Sequence, residues 1–197
     1  MARTKKTSDS EILDKAFEVI SREGFHSFTF AQVSKVVALS PAALVKRFKT
    51  KKNLATLARN QKWDRNLGEI DPAQIEKLQA LNGIFLFLDI IARSVDSNRL
   101  GEHAIWLGTE ACHYKSKRKV AAYFAQTRSI LQRLLREAVV YGEISKDVNT
   151  KSLAFTLEAL VQGAIFQFAF LEEKNIQTHL RSHFKTALQP WLLKKDF

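Results

Sequence analysis

What this 197-residue sequence lacks narrows the field before any motif is found. It has one cysteine, Cys112, so no internal disulfide can form and a disulfide-stapled secreted scaffold is excluded. Seven glycines and three prolines are too few for a turn-rich β-sandwich or barrel. The first ten residues are polar and basic, without the apolar centre of a secretory signal. The longest apolar stretch, residues 153–171, is interrupted by Thr156, Glu158, Gln162 and Gln167, a poor membrane span and a good buried helix. Gly-rich phosphate loops, nucleophile elbows and His-Glu-x-x-His pairs are missing, so an enzyme is not expected, nor any cofactor. Hydrophobic residues make up 46%, enough for a core. These features predict a soluble, cytoplasmic, all-α protein.

Acidic residues are scarce in one place. The chain carries 31 Lys/Arg against 20 Asp/Glu, a net charge of +11. Residues 1–65 hold +8 of that excess, and no acidic residue falls between Glu23 and Asp64. The cations there are Lys35, Lys46, Arg47, Lys49, Lys51, Lys52, Arg59 and Lys62. Such a field attracts a polyanion, because each neutralised phosphate releases counterions. A membrane surface fits less well, since the basic residues do not flank an amphipathic stripe of Trp and Phe.

Helical periodicity runs through the chain. Ser8 with Glu11 has capping-box spacing and opens a run of Ile12, Leu13, Ala16, Phe17 and Ile20 that Gly24 ends. Thr29 with Gln32 repeats the box and starts a short second helix with Phe30, Val33, Val36 and Val37 inward. Ser40 and Pro41 supply a cap and first turn for a third helix with Leu44 and Phe48 at i, i+4. A fourth follows Thr50. A single fifth helix from Asp71-Pro72 carries Ile75, Leu78, Leu81, Phe85, Leu88 and Ile91, and a sixth carries Ile105 and Trp106. The basic stretch 115–119 predicts a turn before a long seventh helix that Gly142 closes. An eighth helix opening at Asn149 or Thr150 is apolar nearly all round, and a ninth repeats Ile176, Leu180, Phe184 and Leu188 four apart. No strand is predicted.

Three short helices with a tight link between the second and third suggest helix-turn-helix. The major groove admits one α-helix, whose start can approach base edges. Ser40, Pro41, Ala42 and Ala43 are short enough to let the third helix lie close. Lys46, Arg47, Lys49 and Lys51 would hold flanking phosphates, with Thr29 at the start of the second helix. Ala42 or Ala43 can touch a thymine methyl, but neither hydrogen-bonds a base edge.

Residues 12–54 resemble the DNA-binding domain of TetR-family transcriptional regulators. The resemblance rests on Ile12, Leu13, Ala16, Gly24, Phe25, Thr29, Val33, Ser40, Leu44, Phe48, Lys51 and Leu54, in family order without gaps. Tyr141-Gly142-Glu143-Ile144, followed by Asp147, resembles the family's link between its seventh and eighth helices. The resemblance implies a nine-helix, two-domain homodimer with a helix-turn-helix domain over 1–50 and a ligand-binding and dimerisation domain over 51–197. It implies a protein that binds double-stranded operator DNA, most often as a repressor released by a small-molecule effector. A helical binding module that has lost specific DNA recognition is the alternative. Four positions depart from the family pattern. Ala38 stands where Gly is usual, which predicts a less left-handed turn. Val45 replaces a Tyr that often contacts phosphate, Arg47 a frequent His, and Ala42 a common Gly.

The resemblance places an effector pocket among the fourth to seventh helices. Phe85, Leu88, His103, Trp106, Glu110 and Phe124 are the candidate lining. Leu157, Val161, Ile165, Phe168, Leu180, Phe184 and Leu188 are the candidate dimer interface. His179 and His183 have metal-ligand spacing on one helix face, but no third ligand is near, so no metal is expected. The arm with Arg3, Lys5 and Lys6 is a candidate for the minor groove.

Overall fold

A computed structural model describes residues 7–69, 71–94, 114–171 and 175–193. The described residues are all-α, with nine α-helices and one isolated β-bridge, Ile144 to Leu192. No helix among them is long and apolar enough to cross a membrane. The described residues divide into two units, the first of 7–67 with 114–117, the second of 68–69, 71–94, 118–171 and 175–193.

The first unit is built by three capped helices and a fourth that completes its core. Helix α1, Asp9–Glu23, begins at Ser8, whose N–H donates to Glu11 Oε2 at 2.8 Å while Glu11 N–H donates back to Ser8 Oγ at 3.2 Å. It stops at Gly24, which sits at φ 80 and donates to the Ile20 carbonyl at 2.9 Å. Helix α2, Phe30–Val37, starts at the Thr29–Gln32 box, and α3, Pro41–Phe48, at Ser40. Helix α4 is Lys51–Glu69. Ile12, Ala16, Phe28, Val33, Leu44 and Leu54 are buried together, with Ala55 and Ala58 from α4. The fourth helix thus belongs to the N-terminal unit, which extends past residue 50. Val36, expected inside, is 45% exposed; an eight-residue helix resting on one core buries only its Val33–Val37 edge.

The second unit corrects two sequence readings. The single fifth helix is two: α5, Pro72–Glu76, and α6, Ala80–Ser94. The chain breaks at Ala80, which takes φ 52. The break is held from outside. Arg133 donates to the Ile75 and Leu78 carbonyls at 2.8 and 3.2 Å, and Glu137 and Glu143 accept from the Ala80 and Leu81 N–H groups at 3.1 and 2.9 Å. Side chains more than fifty residues away therefore cap both new ends. The second correction concerns residues 115–119, which are the first turns of α7, Tyr114–Val140, and make no turn of their own. Lys and Arg are good helix formers and no Gly or Pro interrupts them. The expected sixth helix lies outside the described residues.

Helix α8, Thr150–Phe168, is capped by Asn149, and α9, Ile176–Leu188, by Asn175. Gly142, at φ 66, ends α7; beyond it Ser145 N–H donates to the Trp191 carbonyl at 2.8 Å. Leu81, Ile84, Phe87, Leu88, Leu131, Leu134, Leu157, Leu180 and Phe184 form the centre of this core. Gly83 permits the α6–α7 approach, since a Cβ there would lie 2.8 Å from Leu134 Cδ2. Arg181 on α9 donates to both Asp89 oxygens on α6, at 2.9 and 2.6 Å. Burial alone would raise the Asp89 carboxyl, but hydrogen bonds from Arg181 and Gln177, with the charges of Arg181 and Arg93, hold it below its ordinary value.

Candidate nucleic-acid interface

The link between α2 and α3 sets how the third helix is presented. Ala38 takes φ 54, ψ 37, fully left-handed, although glycine is absent. The expected relaxation of this turn does not occur: the packing of Val33, Val37, Leu44 and Phe48 on either side fixes the turn, at about 1–2 kcal/mol for a residue with a Cβ. Ser40 Oγ accepts from the Ala43 N–H at 3.1 Å, and Pro41 needs no partner in the first turn.

Helix α3 turns Leu44 and Phe48 inward and leaves Ala43 half-buried. Its outward face is Pro41, Ala42, Val45 and Lys46, with Lys49 just past the end; Val45 is 44% exposed. Thr29 is exposed at the start of α2, but its side chain is committed to Gln32, donating to Oε1 at 3.0 Å and accepting from the Gln32 N–H at 3.2 Å.

The tertiary structure divides the cations into two groups. Arg47 pairs through Nε with Asp9 and donates from Nη1 to the Thr7 carbonyl at 3.0 Å. Lys51 donates to the His26 carbonyl at 2.7 Å and stands 4.7 Å over the Phe28 ring. Arg59 is buried against Phe25. Lys35, Lys46, Lys49 and Lys52 stay exposed, and none forms an ion pair among the described residues. The missing acidic charge between Glu23 and Asp64 is partly supplied from α1: Asp9 takes Arg47, and Asp14 takes Arg65 at 2.6 Å with Gln61 at 2.7 Å. Sequence pattern could not show this, because the partners are about fifty residues or nearly forty apart.

In the second unit, Phe85 and Leu88 are buried in the core, and Phe124 is half-buried with its ring 6.0 Å from Tyr123. The candidates His103, Trp106 and Glu110 lie outside the described residues, as does Cys112. A groove of about 690 Å³ runs between α7 and α8, past Arg128, Ser129, Gln132, Lys151, Ser152 and Phe155; of the expected pocket residues that are described, Phe85, Leu88 and Phe124, none lines it. Arg128 donates to Glu158 at 3.0 Å and lies 5.2 Å over Phe155. Burial pushes the Glu158 carboxyl up, against the hydrogen bond and charge of Arg128.

The candidate interface residues are buried within one protomer. Leu157, Val161, Ile165, Phe168, Leu180, Phe184 and Leu188 are each at most 4% exposed within one protomer, so they have almost no area left to bury against a second. An all-round apolar helix has two faces to cover: Leu157, Val161, Ile165 and Phe168 of α8 lie on the inner one, in the same core as Leu180, Phe184 and Leu188 of α9. The outer face holds Phe155 and Phe166, at 60 and 52% exposure, with Gly163 between, and Phe170, at 74%, lies just past the helix end. His179 is buried, its ring 5.3 Å from Phe168 and 4.5 Å from the half-buried His183. Among the described residues, no group of three His, Cys, Asp or Glu is placed to hold a metal.

Comparison with known proteins gives a consistent picture. Residues 12–57 match the model described as bacterial regulatory proteins, tetR family, and residues 111–184 match the tetracyclin repressor-like C-terminal domain. The HTH-type transcriptional regulator UidR of Escherichia coli K12 is 28% identical over 163 residues, covering 79% of each chain. Among solved structures, a transcriptional regulator from Saccharomonospora viridis in complex with choline superimposes with TM-score 0.73 at 18% identity, over 94% of this chain and 98% of that one. A TetR transcription regulator from Haloarcula marismortui gives 0.72 at 15% identity, over 93% and 98%. At these identities the structural likeness concerns the fold.

Proposed function

The chain belongs to the TetR family of transcriptional regulators, DNA-binding helix-turn-helix proteins that are not enzymes, and on that footing we propose that it acts in the cytoplasm as a homodimeric repressor released from a palindromic operator by a small-molecule effector. The observation that carries the reading is the outward face of α3, which pairs small side chains with the free cations Lys46 and Lys49 beside a left-handed turn. Small residues allow the helix to enter a major groove, and the lysines neutralise the phosphates at its rim.

The dimer contact we propose is the outer face of α8 and the turn after it, where Phe155, Phe166 and Phe170 leave large rings exposed. Two-fold pairing would set the two α3 helices about 34–36 Å apart, or a multiple of that. For the effector, the choline carried by the Saccharomonospora neighbour supports a small-molecule site, with Phe124, His103, Trp106 and Glu110 as the proposed wall. Selection of bound duplexes from a random pool, followed by sedimentation of the complex, tests the proposal. The expected result is an inverted repeat bound by two protomers. A protein that selects no sequence, or binds as one protomer, overturns it.

A further inference from the structure

The outward face of α3 offers a base edge no side-chain acceptor, and its donors are the ammonium groups of Lys46 and, just past the helix end, Lys49. Ala42, Val45 and Lys46 follow one another at i, i+3 and i+4, so they form one stripe, with Lys49 just past the helix end. Bidentate reading of adenine needs Asn or Gln and reading of cytosine needs an acid, while guanine takes Arg or Lys. Helix α3 carries no Asn, Gln or acid; of its two guanine readers, Arg47 has both its Nε and Nη1 engaged by Asp9 and the Thr7 carbonyl, and Lys46 brings a single ammonium on a flexible stem without the planar fork of arginine. On α2, Gln32 is committed to the Thr29 cap, and the exposed positions are Ala31, Lys35 and Val36. Ala43, the other short residue at the start of α3, is half-buried. That leaves Val45, a branched apolar side chain 44% open to water at the middle of the face, with Ala42 one turn before it and lysines beyond.

We infer that Val45, with Ala42, is the specificity-determining contact of this protein, and that it reads the C5-methyl of thymine in the major groove. The inference rests on the DNA-binding reading above and deepens it. Thymine is the one base that offers an apolar group on the major-groove edge. Covering that methyl with Val45 removes apolar surface of both partners from water, whereas a cytosine or purine at the same place leaves Val45 facing polar edges with no donor or acceptor to offer. Lys46 and Lys49 hold the backbone and set the register.

The test uses the full-length protein and the duplex it selects from a random pool. Each thymine in turn is replaced by deoxyuridine, which keeps every hydrogen-bonding edge and removes one methyl. The expected result is one or two sensitive thymines per half-site, with affinity falling about 4-fold per half-site and about 15-fold when both are changed. Val45→Ala, an exposed site where the fold is retained, should bind the thymine duplex more weakly and no longer distinguish it from the deoxyuridine duplex; Val45→Thr should keep most of the discrimination. Sequence-selective binding that ignores every deoxyuridine replacement overturns this inference and leaves the DNA-binding reading standing. Discrimination that survives in Val45→Ala overturns it too, by giving the methyl to another residue. A protein that binds no duplex at any salt concentration removes the reading itself, and the inference with it.

Discussion

Lys46 and Arg47 are neighbours in sequence, and the structure predicts opposite consequences for removing them. Lys46 is exposed on the outward face of α3 and has no ion pair among the described residues, while Arg47 is already neutralised by Asp9 and tied to the Thr7 carbonyl. A phosphate contact contributes about 0.9 to the slope of log affinity against log salt. In a two-fold dimer each substitution acts twice, so Lys46→Ala should lower the slope by about 1.8 and, near 0.1 M salt, weaken binding by about 60-fold. Arg47→Ala should leave the slope nearly unchanged, because the charge it removes was compensated within the protein. Asp9→Asn completes the set: it releases the Arg47 guanidinium and should steepen the slope by up to about 1.8. The assay is fluorescence anisotropy of one labelled duplex at five or more salt concentrations for the four proteins. Equal slopes for Lys46→Ala and Arg47→Ala would refute the division of the basic field into free and internally paired cations.

Three further outcomes test the fold. Ala38→Gly relieves the left-handed strain at φ 54 and should raise stability by about 0.5–1 kcal/mol after the extra freedom of the unfolded chain is counted, seen as a higher melting temperature. Gly83→Ala gains about 1 kcal/mol of helix propensity but drives a methyl to 2.8 Å from Leu134 Cδ2 and 3.0 Å from the Leu78 carbonyl carbon, so a net loss of about 1 kcal/mol is expected in denaturant unfolding. Asp89 is held below the ordinary aspartate value, so its contribution is present above that value and is lost as pH falls through the lowered folded one. Asp89→Asn should therefore cost about 1–3 kcal/mol near neutral pH and flatten that part of the acid-unfolding profile.

Local rules settled much of the first unit. The capping boxes at Ser8 and Thr29, the Ser40-Pro41 start and the stop at Gly24 depend on residues within four positions, and each helix forms where those residues place it. The basic stripe and the short residues opening α3 were legible for the same reason. Where spacing failed, the deciding partner was distant in the chain. Ala80 breaks a continuous helical pattern because Arg133, Glu137 and Glu143 satisfy the ends that the break exposes. Ala38 stays left-handed because the helices it joins are already packed. Arg47 leaves the cationic face because α1 brings Asp9 beside it, and the apolar α8 turns Leu157 and Val161 inward and Phe155 and Phe166 outward because the protomer covers only one side of it. By itself, then, the sequence determined the helices and the sign of the charge on them, since both follow from near neighbours. Only the tertiary structure decided which cations remain free and which apolar residues remain uncovered, since burial and ion pairing are properties of groups that folding brings together.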